Sequence, residues 1–113
     1  MSNCIFCKIS SGEIPAEVVY EDEHILCFKD LDPQAPVHVL IIPKKHIASI
    51  QDVSFEDKDL IGHIMLKIKE IADKLELENG YRVVINCGED GLQTVKHLHL
   101  HILGKRKMTW PPG

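Results

Sequence analysis

The sequence has no long hydrophobic run. Its longest uninterrupted aliphatic stretch is Val39–Ile42, against the roughly 20 apolar residues a membrane-spanning helix needs. It also lacks the basic region followed by an apolar stretch that marks a secretory leader, since it begins Met-Ser-Asn-Cys; the cytoplasm is the expected compartment. Positive charge is not in excess: 13 Lys and Arg against 17 Asp and Glu give −4. Long-duplex nucleic acid is therefore not an expected partner, because that binding is driven by basic side chains displacing counterions. Repeats, low-complexity tracts and Gly/Ser-rich linkers are absent, so residues 1–113 read as one domain with a single core.

What is present is a globular balance, 44% hydrophobic and 27% charged, with four cysteines and seven histidines. Without an export signal the cysteines point to metal ligation, redox chemistry or burial rather than to a disulfide framework.

Ile5, Phe6 and Ile9 at one-turn spacing predict a short helix over Cys4–Ser11, stopped by Gly12. Glu17–Tyr20 and Ile25–Asp30 are rich in Val, Ile, Phe and Tyr and flank a short acidic turn, so they predict a hairpin. Asp32-Pro33-Gln34-Ala35-Pro36 is a turn, because each proline biases its predecessor out of the helical region. Val37–Ile42 follows as a third strand that Pro43 ends. A long amphipathic helix then starts at Ser54, with Glu56, Asp57 and Asp59 near its positive end. Its apolar stripe is Leu60, Ile61, Ile64, Met65, Ile68, Ile71, Ala72 and Leu75, and Asn79-Gly80 supplies a left-handed stop. Tyr81–Asn86 and His97–Leu103 are the last strands, around a Gly-rich loop. The order β-β-β-α-β-β predicts an α+β fold.

The chemistry concentrates in His97-Leu98-His99-Leu100-His101-Ile102-Leu103. Alternation with period two places three imidazoles on one face of a strand and Leu98, Leu100 and Ile102 on the other, where they can pack on the core. Such a face can be a row of tolerated histidines, a His-x-His metal site, or a nucleophilic centre in which one imidazole attacks phosphorus or an acyl carbon and the next manages protons. Imidazole suits the last role because both its forms coexist near neutral pH. Cys4-Ile5-Phe6-Cys7 is likewise open between a redox dithiol, buried thiols and half of a zinc site. Cys27 and Cys87 lie in apolar strands and read as packing residues.

The triad motif resembles that of the histidine triad superfamily. The likeness extends over nearly the whole chain, through Cys4–Ile9, Ile14-Pro15-Ala16, Phe28-Lys29-Asp30, Pro33–His38, Ile42–Ile47, Gln93-Thr94-Val95 and Trp110–Gly113. In these segments it is similar to the Hint branch, purine nucleoside phosphoramidases. The resemblance implies a five-stranded antiparallel sheet with one long and one short helix, in a homodimer whose sheets join into ten strands. It implies a purine nucleotide substrate linked through phosphorus to an amine, with His99 as nucleophile forming a nucleotidyl-histidine. His97 would accept the other ring N–H of His99 through its carbonyl, and His101 and His38 would contact the phosphate and handle leaving-group charge.

By the same resemblance Ile5, Phe6, Ile9, Phe28 and Leu31 enclose the base, Asp30 accepts from the ribose hydroxyls, and Asn86, Gln93 and Thr94 contact phosphate and leaving group. Leu92 stands where the family often has glycine. In zinc-bearing members the Cys4–Cys7 pair is completed by the residues matching His46 and His97; four protein ligands make a closed, structural zinc site. The tail around Trp110 resembles tails that reach the neighbouring subunit near its substrate. His24 and His63 read as solvated or locally bonded. The competing functions are a dinucleotide polyphosphate hydrolase or nucleotidyltransferase of the same superfamily, and a non-enzymatic nucleotide-binding regulator.

Overall fold

The computed structural model describes residues 3–113. Its elements are α1 (Ile5–Ser10), β1 (Val18–Glu21), β2 (Ile25–Lys29), β3 (Val37–Pro43), α2 (Lys58–Lys74), β4 (Tyr81–Val84) and β5 (Leu100–Gly104), with 3-10 turns at Ile50–Asp52 and Phe55–Asp57. The strands form one antiparallel sheet in the order β1-β2-β3-β5-β4. This is the expected α+β arrangement of five strands, one long helix and one short helix. Among the described residues no helix is long and apolar enough to cross a membrane.

Strand alternation divides the sheet into two faces with different work. Ile25 and Cys27 of β2, Val39 and Ile41 of β3, and Leu100 and Ile102 of β5 pack with Ile64, Ile68, Ile71 and Ala72 of α2. The alternate residues Leu26, Phe28, Leu40 and Ile42 pack with Phe6 of α1. Leu40 pairs with His101 and His38 with Leu103, so His38 and His101 are diagonal neighbours on this second face. The long helix thus builds the core, and the short one roofs the face that carries the imidazoles. Cys27 is fully buried in β2, and burial pushes its thiol up to about 12, as expected of an inert packing residue.

Several boundaries differ from the sequence expectation. Ser54 opens the 3-10 turn that leads into α2, with its N–H donating to the Asp57 carboxylate at 3.0 Å. The left-handed stop is Glu76 at φ 60, three residues before Asn79-Gly80. There Leu77 N–H donates to Ala72 O at 3.0 Å and Glu76 N–H to Asp73 O at 3.1 Å, the paired bonds of a Schellman cap. Burial of Leu77 drives the early stop, since the chain must turn back at once to seat it in the core. Met65 is exposed and not part of the buried stripe. His63 is locally bonded, with Nε2 2.7 Å from Asp22 Oδ2, while His24 is exposed. Burial works against ionisation of Asp22, but hydrogen bonds from His24 N–H, Tyr20, His63 and Ile25 N–H hold its carboxyl well below the usual range.

The last two strands are shorter than predicted. β4 ends at Val84, so Cys87 lies in the following loop and not in a strand. β5 begins at Leu100 and leaves His97–His99 outside the sheet. The reason is a change of partner: Leu98 N–H donates to Ile47 O at 2.7 Å, in the loop beyond β3. Alternation nevertheless persists, and Leu98, Leu100 and Ile102 are all buried.

Candidate active site

Cys4 caps the N-terminus of α1 and Cys7 follows one turn later, with Cys7 N–H donating to Cys4 Sγ at 3.3 Å. Loop residues His46 and His97 bring their Nδ1 atoms to the same point. Cys4 Sγ to His97 Nδ1 is 3.3 Å, Cys7 Sγ to His46 Nδ1 3.3 Å, Cys7 Sγ to His97 Nδ1 3.5 Å and the two Nδ1 atoms are 3.2 Å apart. Zinc bound tetrahedrally at Zn–S of about 2.3 Å and Zn–N of about 2.0–2.1 Å separates an S,N ligand pair by about 3.5 Å and an N,N pair by about 3.3 Å. The four side chains fit that figure and could hold such a metal. The donor chemistry fits as well. His97 donates Nε2–H to Pro43 O at 2.8 Å, and burial keeps its ring below the ordinary imidazole value, so Nδ1 is bare.

His97 then hands its position on to His99. Nδ1–H of His99 donates to the His97 carbonyl at 2.6 Å, which leaves the Nε2 lone pair free. Phe6 stands edge-on to His99 with ring centroids 5.0 Å apart, and the His101 ring centroid lies 5.2 Å from that of His99. All buried side-chain polar atoms of the described residues have partners. Nε2 of His99 has no partner among the described residues. His99 lines a cavity of about 270 Å³ whose wall is largely apolar, with Ile5, Phe6, Ile9, Phe28 and Leu31 among its members and Lys29, Asp30, Thr94, His99 and His101 as its polar ones. Asp30 accepts from Asp32 N–H through Oδ1 at 2.7 Å. Its Oδ2 lies 3.4 Å from His38 Nε2. A mostly apolar slot with a carboxylate and two imidazoles among its few polar groups is the make-up of a small-molecule site.

A family model described as "Scavenger mRNA decapping enzyme C-term binding" matches residues 3–110. An uncharacterised HIT-like protein of Synechococcus elongatus is 53% identical over 109 residues, covering 96% of each chain. The chain belongs to the histidine triad (HIT) family. The crystal structure of a HIT family hydrolase from Legionella pneumophila is 57% identical, with a TM-score of 0.96 over 98% of this chain and 100% of that one. A histidine triad nucleotide-binding protein from Candida albicans is 34% identical, with a TM-score of 0.83 over 96% of this chain and 83% of that one.

Of the residues singled out in the sequence of this HIT protein, the five apolar wall residues, Asp30, Thr94, His99 and His101 come together at the cavity. His38 is buried and does not line it, but its Nε2 is 2.9 Å from His101 Nδ1 and 3.4 Å from Asp30 Oδ2, two groups that do. Asn86 and Gln93 are engaged elsewhere. Asn86 Nδ2 donates to Gly91 O at 2.8 Å. Gln93 Nε2 donates to Ala48 O at 2.7 Å and Val95 O at 3.1 Å, and Oε1 accepts from Gly88 N–H at 3.1 Å. Both side chains thus shape the Gly88–Thr94 loop from within. Leu92 takes a left-handed conformation there (φ 61) and is exposed. Trp110 is exposed on the single chain and does not line the cavity; Arg82 holds the tail through Thr109 O at 2.9 Å. Sequence reading gave no role to Pro15 and Ala16, which complete the wall; their signal was the motif Ile14-Pro15-Ala16. It also gave none to the Pro43 carbonyl, which no side-chain pattern reveals.

Two predictions arise here. A Cβ on Gly91 would lie 2.3 Å from Cys87 O, a backbone atom that cannot step aside. Gly91→Ala is expected to cost about 2 kcal/mol or more, read as a lower urea midpoint. The second concerns pH. Burial, then His99 and His38, lower His101 from 6.5 to about 4, and burial lowers His38 despite Asp30 and Asp32. A histidine held neutral in the fold but free to protonate when unfolded contributes stability above its unfolded value and loses it as pH falls. Melting temperature should therefore decline between pH 6.5 and about 4, and less steeply in His101→Leu; an unchanged slope in that variant would refute the assignment.

Proposed function

We propose that this HIT protein is a hydrolase of purine nucleoside 5′-phosphoramidates, such as AMP-lysine, that acts through a covalent intermediate on His99. One observation carries the reading: His99 has Nδ1–H committed to the His97 carbonyl at 2.6 Å, which leaves the Nε2 lone pair free on a ring that lines a cavity together with a carboxylate and apolar side chains. Nε2 attacks phosphorus, the P–N bond to the amine breaks, and the amine departs with a proton. Water then attacks the same phosphorus, the bond to His99 breaks, and nucleoside monophosphate leaves with His99 neutral again. Ile5, Phe6, Ile9, Phe28 and Leu31 enclose the base, Asp30 receives the ribose hydroxyls through its free lone pairs, and Thr94 stands by the phosphate. The Asn86 and Gln93 side chains act through the loop they shape. The names of the Legionella hydrolase and of the Candida nucleotide-binding protein support the reading.

Zinc held by Cys4, Cys7, His46 and His97 would be structural, since four protein ligands leave no open position. It would fix the ring of His97, and the chain's own carbonyl at that residue orients the nucleophile. We further place the protein in the cytoplasm as a homodimer joined along β4, which ends the sheet and exposes Tyr81 and Val83. Trp110 of each tail would then lie toward the partner's site.

The test is turnover on a panel of adenosine and guanosine phosphoramidates beside diadenosine polyphosphates. Cleavage of P–N bonds is expected to be the faster. The matching family model bears a decapping enzyme's name, and faster cleavage of P–O–P bonds would move the assignment to the dinucleotide reading. Nucleotide binding with no turnover would leave a regulator.

A further inference from the structure

The turn between β2 and β3 does more than reverse the chain. Backbone N–H of Gln34 meets His38 Nδ1 at 3.0 Å. An amide N–H only donates, so Nδ1 accepts and the single proton of the neutral His38 ring sits on Nε2. That Nε2 is 2.9 Å from His101 Nδ1 and 3.4 Å from Asp30 Oδ2. In the shorter contact His101 Nδ1 must accept, which puts the His101 proton on Nε2, the ring nitrogen with no partner among the described residues. His99 is set the opposite way, with Nδ1–H donating to the His97 carbonyl at 2.6 Å. One backbone donor and one backbone acceptor thus leave two adjacent imidazoles with unlike faces toward the cavity.

We propose that the Asp32–Pro36 turn sets the tautomers of the site: through His38, a positioning residue, the Gln34 amide holds His101 as a hydrogen-bond donor beside a His99 held as a lone-pair donor. His38 then needs no contact with phosphate. What the His101 Nε2–H serves, a phosphoryl oxygen or the departing amine, rests on the phosphoramidase reading; the tautomers do not.

The same geometry decides a second question. Asp30, His38 and His101 bring ligand-type atoms within 4.8 Å of one another, the outline of a divalent metal site. A metal on His38 Nε2 would drive the ring proton to Nδ1, where it would face the Gln34 N–H at 3.0 Å. Two donors cannot share that contact, so this trio rejects the cation that the Cys4–His97 group accepts.

Long-range proton–nitrogen spectra of the full-length protein at neutral pH test the proposal without any variant. His38 and His101 are expected with the proton on Nε2 and His99 with it on Nδ1; a His101 protonated on Nδ1 overturns it. His38→Leu should leave His101 a mixture of tautomers and lower kcat by about tenfold or more with KM little changed, whereas His38→Gln, which keeps an N–H at the Nε2 position, should restore both. An unchanged His101 tautomer in His38→Leu also overturns it. Total bound zinc after titration with Zn²⁺ should saturate at one equivalent per chain, and a second equivalent that disappears in His38→Leu would count against it. Absent turnover on every substrate, with the tautomers as assigned, would remove the phosphoramidase reading and leave this one standing.

Discussion

His99→Ala is expected to lower phosphoramidate turnover at least about 10³-fold, a rise of about 4 kcal/mol in the barrier. The size follows from what the variant removes. His99 is the one triad imidazole whose Nδ1 proton is tied to a backbone carbonyl while its Nε2 serves the cavity, so truncation deletes the bond-forming atom and leaves only binding and electrostatic contributions. Neighbouring groups cannot replace it. His101 presents an N–H where a lone pair is needed, and the Nδ1 of His97 lies among Cys4, Cys7 and His46. Nucleotide affinity should survive, because Ile5, Ile9, Phe28 and Asp30 make the pocket without the His99 ring. Steady-state kinetics and calorimetry with AMP read the two halves separately. Retained turnover would remove His99 as nucleophile, and lost affinity would show that its ring is part of the pocket.

Cys4→Ser should have the largest effect on stability. Metal content is expected to fall from about one zinc per chain to near zero, with a large loss of thermal stability. An ion present at a thousand times its dissociation constant stabilises the native state by about 4 kcal/mol, and for a domain of this size that is about 15 °C or more. Prolonged chelation of the wild type should reproduce the effect. The physical basis is the placement of the ligands. Cys4 caps α1 and Cys7 lies in it, while His46 and His97 belong to loops beside the sheet, so one ion would tie the short helix to both loops. Loss of metal should also loosen His97, and through its carbonyl the tautomer of His99. Metal-free wild-type protein that stays folded and fully active would refute the zinc assignment.

Much of this fold can be read locally. The apolar runs read over Ile25–Asp30 and Val37–Ile42 became strands because both of their faces found apolar partners, and the 3.6-period run through Ile64, Ile68 and Ile71 became a helix because its one apolar stripe packs on the sheet. The misread boundaries are places where a distant partner prevailed over local pattern. Leu77 ended α2 early because Gly104 on β5 leaves room for it: a Cβ there would meet its Cδ2 at 2.7 Å. His97–His99 left the strand because Ile47 O captured Leu98 N–H. Asn86 and Gln93 carry amides that suit a phosphate equally well, and only the loop's closure shows them turned inward on Gly91 O and Ala48 O.

By itself the sequence determined that three imidazoles alternate with three aliphatic residues, that two cysteines stand one helical turn apart, and that one long helix carries a single apolar stripe. These are properties of spacing, and the backbone's fixed rise and twist convert spacing into faces. Only the tertiary structure decided which face of each ring is protonated. That depends on single backbone groups, Gln34 N–H, His97 O and Pro43 O, which every residue carries alike and no side-chain pattern marks. Folding gives these groups their meaning by bringing one amide or carbonyl within about 3 Å of one ring nitrogen.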